Sequence, residues 1–130
     1  MNKKILIIED DPDVRLGYNV LLRANHYETF FAADATCAIA EARKCLPDVI
    51  VLDLGLPGGD GFVVLERLRA TTQLSMIPVI VVSGRDLPGN KERALRFGAK
   101  AFVQKPWNDN ELLALIEKLA LHDLTASQMK

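Results

Sequence analysis

The sequence predicts an α/β fold in which a doubly wound parallel sheet of five strands lies between two layers of helices. Three observations carry that prediction. Short apolar runs alternate five times with segments of helical periodicity. The strongest runs lack polar alternation, as strands covered on both faces do. Helix-start signals follow the strands closely, which is the pattern of linked βαβ units with right-handed crossovers.

Lys4–Ile8 is the first strand. Asp11 then Pro12 starts a helix, a capping carboxylate followed by proline at the first helical position. Val14, Tyr18, Leu21 and Leu22 follow at helical spacing. Thr29–Ala32 is a weaker strand, and Asp34 is a candidate cap for a helix carrying Ala38, Ala42, Cys45 and Leu46. Asp48–Asp53 is the clearest strand. Leu54–Gly59 is a Gly/Pro loop, and Asp60 caps a helix with Val64, Leu65 and Leu68 inward.

Ile77–Val82 is the fourth strand, with Pro78 near its start where proline is tolerated. Asn90–Phe97 is a short helix closed by Gly98, with Leu95 and Phe97 read as core residues. Leu87, Pro88 and Gly89 make its start ragged. Ala101–Val103 is the fifth strand. Asn108 or Asp109 starts a last helix with Leu112, Leu113, Leu115, Ile116 and Leu119. Five such units favour the strand order 2-1-3-4-5, the flavodoxin-like (βα)5 three-layer sandwich.

At 130 residues the chain is long enough to bury a core, and 49% apolar with 25% charged residues is an ordinary globular composition. Residues 1–122 read as one domain, and 123–130 as a polar tail or the start of a linker. The net charge of −1 offers no basic excess for gripping nucleic acid. No apolar run approaches the roughly 18 residues of a membrane span, and acids interrupt the N-terminal run too early for a signal peptide. A cytoplasmic protein is expected. Cys37 and Cys45, about 12 Å apart along one helix, are too distant for a disulfide and read as reduced thiols. His26 and His122 are isolated.

Ligands of such sheets bind beyond the carboxyl ends of the strands, near the point where strand order reverses. The first strand ends in Glu9-Asp10-Asp11, the third in Asp53, the fourth in Ser83-Gly84 and the fifth in Gln104-Lys105-Pro106. The first and third strands are neighbours in the expected order, so their acids crowd together. Crowded carboxylates repel and resist desolvation, and a hard divalent cation such as Mg²⁺ relieves both. A serine hydroxyl and a lysine ammonium suit phosphoryl oxygens. Singly, Asp11 is a cap, Ser83 a serine after a strand and Lys105 a surface lysine. Jointly, these strand ends describe a phosphoryl-transfer site built on positioning and charge neutralisation.

Ile5–Asp10, Asp53–Gly61, Val81–Gly84 and Lys105-Pro106 resemble the signature segments of two-component response-regulator receiver domains, in that family's order and spacing. The resemblance covers essentially the whole chain. It implies that Asp53 is the phosphoacceptor, with a phosphohistidine on a histidine kinase or phosphotransfer protein as donor. It implies Mg²⁺, with Mn²⁺ as a substitute, held by Asp10, Asp53 and the Gly55 carbonyl, with Glu9 acting through a metal-bound water. Ser83 would move toward the phosphoryl group, Lys105 would pair with it, and Phe102 would turn inward as the aromatic switch. Pro106 would follow a cis peptide. A self-modifying switch is implied rather than an enzyme with an external substrate. Output would pass through the face of the fourth helix, fifth strand and fifth helix to a domain or protein downstream, with homodimerisation an option.

Some positions depart from the family pattern. Gly84 stands where alanine is usual, Trp107 where phenylalanine is common, and Lys100-Ala101 where the winged-helix subfamily often carries an acidic pair. Three rival readings meet the residues poorly. A haloacid-dehalogenase-type phosphatase needs an aspartate where Gly55 stands. A flavodoxin-like cofactor binder needs a phosphate-cradling loop where Glu9-Asp10-Asp11 stands. A degenerate receiver, used only for protein contacts, would not need the full set of site residue types.

Overall fold

The computed structural model describes residues 2–56, 61–84 and 89–128, with side chains described as far as Leu121. The elements follow in the order β1 (Lys4–Ile8), α1 (Pro12–Ala24), β2 (Glu28–Ala32), α2 (Ala35–Cys45), β3 (Val49–Asp53), α3 (Gly61–Ala70), β4 (Val79–Ser83), α4 (Asn90–Arg96), β5 (Ala101–Gln104) and α5 (Asp109–Gln128). The sheet order is β2-β1-β3-β4-β5 and every pairing is parallel. The doubly wound α/β fold is thus the observed one.

Side-chain alternation explains why the strands read as unbroken apolar runs. Successive residues of a strand face opposite sides of the sheet. Ile5 and Ile7 pack with Tyr18 and Leu22 of α1 and with Leu112 and Ile116 of α5. Leu6 and Ile8 pack with Ala38 and Ala42 of α2, Leu65 and Leu68 of α3 and Ala94 of α4. With helices on both faces, all four residues of the run Ile5–Ile8 lose their solvent contact. Full burial of each such side chain stabilises the fold by about 1.5–3 kcal/mol relative to exposure.

The helix starts follow the capping logic. Asp11 Oδ1 accepts the N–H groups of Asp13 at 2.8 Å and Val14 at 3.4 Å. Asp34 Oδ1 accepts that of Cys37 at 2.8 Å. At α5 the cap is Asn108, whose Oδ1 accepts from Asn110 at 2.8 Å and Glu111 at 3.4 Å. The expected Asp60 cap and the Leu87-Pro88 entry to α4 lie outside the described residues. Gly98 closes α4 at φ 106°, and a Cβ there would run into the Arg69 side chain.

Three sequence expectations need correction. Leu46 is not carried by α2, which ends at Cys45. It is the C-cap at φ 46°, ahead of Pro47, and its side chain is 54% exposed. Leu95 is not core: Ala94 takes the inward position of the short α4, and the next residue, about 100° further round the helix, is 43% exposed. β4 begins at Val79, because Ile77 is held in the preceding turn by the Leu74 carbonyl at 3.1 Å. Pro78 contributes only its carbonyl to the sheet, to Ile50 N–H at 3.0 Å. Phe97 does pack against the core, and Cys45 is buried while Cys37 is exposed. No helix among the described residues is long and apolar enough to cross a membrane.

Candidate phosphoryl-transfer site

The parallel register brings the strand ends together. Ile8 pairs with Leu52, so Glu9 and Asp53 each follow one rung later on neighbouring strands. Carboxylate oxygens of Glu9, Asp10 and Asp53 all lie within 4.8 Å of one another. Glu9 is 2% exposed, the Asp53 side chain 13%, and Asp10 is on the surface. Lys105 reaches across from the end of β5: its Nζ donates to Asp53 Oδ2 at 3.1 Å and to Glu9 Oε1 at 3.3 Å. Gly55 N–H donates to Asp53 Oδ1 at 2.9 Å, so both oxygens of Asp53 are held.

Three carboxylates against one ammonium leave a surplus of negative charge. Burial pushes the Glu9 carboxyl up to about 7, helped by its hydrogen bond with Asp10 and by the charge of Asp53. Burial works against the Lys105 ammonium, but the charges of Asp53 and Glu9 outweigh it and raise its pKa. The cluster therefore accepts a proton or a cation readily. Hard carboxylate oxygens in small number, one acid being open to solvent, form a donor set that suits Mg²⁺.

Ser83 closes β4 and is 3% exposed. Its carbonyl accepts the Lys105 N–H at 2.8 Å, tying the two residues through the main chain. Phe102 pairs with Val81, two rungs below Ser83, and packs half-buried against the α2–α3–α4 side of the core. The Lys105–Pro106 peptide is cis. Trp107 stacks on Tyr18 of α1, with ring centroids 5.2 Å apart and planes inclined by 19°.

Sequence reasoning missed Arg15, whose Nη1 donates to the carbonyls of Glu9 at 2.9 Å and Asp10 at 3.0 Å. The available signal was a basic residue one turn past a helix cap, close behind an acidic run. The stacking of Trp107 on Tyr18 has no signal in the sequence pattern.

A doubly wound parallel sheet carrying an acid cluster and an ammonium at its switch point defines the class as a receiver-type α/β domain. The chain belongs to the response regulator receiver domain family, whose family model matches residues 5–117. It is similar to the response regulator PleD of Caulobacter vibrioides, at 34% identity over 100% of this chain and 29% of that protein. It is also similar to the transcriptional regulatory protein KdpE of Staphylococcus aureus, at 40% identity over 92% of this chain and 52% of that protein. The chain thus spans from under a third to about half the length of these relatives. Among solved structures it resembles the receiver domain of sensor histidine kinase PA1611 from Pseudomonas aeruginosa, determined with a magnesium ion coordinated in its active-site cleft. That likeness has a TM-score of 0.84 and 27% identity, over 92% of this chain and 98% of the other.

Proposed function

We propose that this domain is a phosphorylation-dependent switch in which Asp53 accepts a phosphoryl group from a phosphohistidine of a histidine kinase or phosphotransfer protein. The observation that carries this reading is the convergence of Glu9, Asp10 and Asp53 within 4.8 Å, with Lys105 bonded to two of the three. In the transfer the P–N bond of the donor breaks while a P–O bond forms to a carboxylate oxygen of Asp53. Asp10, Asp53 and the Gly55 carbonyl would hold Mg²⁺ directly, with Glu9 acting through a water, and Mn²⁺ would substitute. The cation supplies charge neutralisation for the incoming phosphoryl oxygens.

The protein's own residues do the rest. Gly55 N–H and the Lys105 ammonium fix the orientation of the Asp53 carboxylate, so little reorganisation precedes attack. Phosphorylation brings roughly −1.5 to −2 charges and three strong acceptors to this point. Lys105 then pairs with the phosphoryl group, and the Ser83 hydroxyl swings toward it. The space Ser83 leaves is filled by Phe102, which shares its side of the sheet, and the α4–β5–α5 face changes shape for a downstream domain or protein. The domain promotes its own phosphorylation and dephosphorylation and turns over no external substrate. In this reading it works in the cytoplasm, alone or as a homodimer, and does not itself contact nucleic acid.

Intact-mass measurement after incubation with Mg²⁺ and acetyl phosphate tests the reading. One added phosphoryl group is expected, absent from Asp53→Asn and from a chelator-treated sample. No adduct, together with no binding of a beryllium fluoride mimic, would overturn it.

A further inference from the structure

We propose that Arg15 is a positioning residue for the acidic site. By holding the carbonyls of Glu9 and Asp10 it orients the loop between β1 and α1 so that both carboxylates face the cation; this inference rests on the cation-binding reading above.

Arg15 meets the loop at three points, two through its side chain and one through the ordinary first backbone bond of α1. Arg15 Nη1 donates to Glu9 O at 2.9 Å and to Asp10 O at 3.0 Å, while its backbone N–H donates to Asp11 O at 3.0 Å. Every carbonyl of the run Glu9-Asp10-Asp11 therefore bonds to Arg15. A peptide plane whose carbonyl is held has lost its freedom to rotate. Fixing the planes on both sides of Asp10 fixes the direction in which its Cβ leaves the backbone. Asp10 needs that help most, because it is exposed while Glu9 is enclosed.

Two further points favour a role in the site over general stabilisation. A cation near the N-terminal end of a helix opposes the helix dipole, so Arg15 sits where α1 alone would disfavour it. The two carbonyl bonds are the compensating gain, and they are made to the acidic loop. Carbonyl oxygens are also hard ligands for Mg²⁺. With those of Glu9 and Asp10 engaged by the guanidinium, the face these residues turn to a cation is carboxylate.

The inference has a sign that a charge effect cannot imitate. As a nearby positive charge, Arg15 repels Mg²⁺, and removing it would tighten binding. As a positioning residue, its removal loosens the ligand set and weakens binding.

The test is calorimetric titration of Mg²⁺ into the 130-residue chain, its Arg15→Gln and Arg15→Lys variants and an Arg23→Gln control, each with a urea unfolding curve. Arg23 lies toward the other end of α1, where its Nε donates to Asn19 Oδ1 at 2.9 Å and Thr29 Oγ1 at 3.4 Å. Arg15→Gln should weaken Mg²⁺ binding about tenfold, the lower end for outer-shell partners of a metal site. Arg15→Lys should recover only part of the loss: its ammonium keeps the charge and can donate to both carbonyls as Nη1 does, but its shorter stem stops short of the Nη1 position. Arg23→Gln should lower the urea midpoint and leave Mg²⁺ affinity at the parent value. Unchanged or tighter binding by Arg15→Gln overturns the inference, as does an equal loss in Arg23→Gln. If Arg15→Gln does not fold, Arg15→Lys decides: binding equal to the parent overturns the inference, and weaker binding supports it. A parent chain that does not bind Mg²⁺ overturns the cation reading and this inference with it; a parent that binds while the Arg15 variants bind equally well overturns this inference alone.

Discussion

The Lys105 ammonium stands 3.1 Å from Asp53 Oδ2, joining the last residue of β3 to the residue just past β5, two strands separated in the sheet by β4. Lys105 can reach Asp53 because β5 ends one residue before it and its N–H is anchored to the Ser83 carbonyl. The same ammonium touches Glu9, so one cation spans two of the three acids.

Replacing Lys105 by methionine keeps most of the stem and removes the charge. The acids then repel without relief. At pH 8 and without metal the variant should lose about 1–3 kcal/mol, less than a fully buried pair would because Lys105 is 27% exposed. Mg²⁺ should bind it more tightly than the parent, since no ammonium competes, yet acetyl phosphate should label it far more slowly. Urea unfolding, calorimetry and timed mass spectrometry read the three effects.

The Glu9 carboxyl, pushed up to about 7 by burial and its acidic neighbours, predicts a pH dependence for the metal-free protein. The folded state holds its proton more tightly than the unfolded state does. The stability contribution is therefore fully present below the ordinary value of 4.5 and is lost as pH rises through about 7. The difference between these limits is on the order of 3 kcal/mol. Urea midpoints from pH 5 to pH 8, in the presence of a chelator, should fall, and Glu9→Gln should flatten that slope. Saturating Mg²⁺ should also remove it, because the cation replaces the proton.

Two glycines should answer differently to alanine. At Gly61 an added Cβ would lie 2.7 Å from the Leu54 Cα, a backbone atom that cannot yield cheaply. Gly61→Ala should lower stability by about 1–3 kcal/mol, the range of overpacking, and disturb the segment after Asp53. At Gly84 the nearest atom would be Lys105 Cδ, at an ordinary 3.7 Å. Gly84→Ala should fold with parent-like stability and alter only the rate at which label is gained or lost. Thermal unfolding and labelling kinetics separate the two.

The stack of Trp107 on Tyr18 ties the segment after Lys105 to α1. Tyr18 is 4% exposed, and its hydroxyl pKa is raised by burial and by the negative charge of Glu9 and Asp53. Trp107→Ala should lower stability by about 1–3 kcal/mol, below the full-core value because Trp107 is only half-buried. Tyr18→Phe keeps the ring and should fold like the parent. Circular dichroism in urea checks both, since the first variant removes the only tryptophan.

The fold was legible in the sequence because its determinants are local. Unbroken runs such as Ile5–Ile8 and Val49–Leu52 require cover on both faces, and the caps Asp11 and Asp34 mark where the crossovers begin. Once the strand order follows, adjacency of Glu9 and Asp53 follows too, because parallel strands deliver their carboxyl ends to the same edge. What the sequence left open were features set by angles of approach. Leu46 and Leu95 satisfy the helical spacing, but a left-handed cap turns the first outward and the rotation of a seven-residue helix turns the second. The division of the Lys105 ammonium between two acids, the grip of Arg15 on the Glu9 and Asp10 carbonyls and the Trp107–Tyr18 stack each join residues whose distance depends on how α1 and the β5–α5 segment seat against the sheet. Periodicity specifies which face of an element is buried. Only packing of the assembled layers decides which side chains on that face meet, because hydrogen bonds and ring contacts are lost over an ångström or two that no one-dimensional pattern encodes.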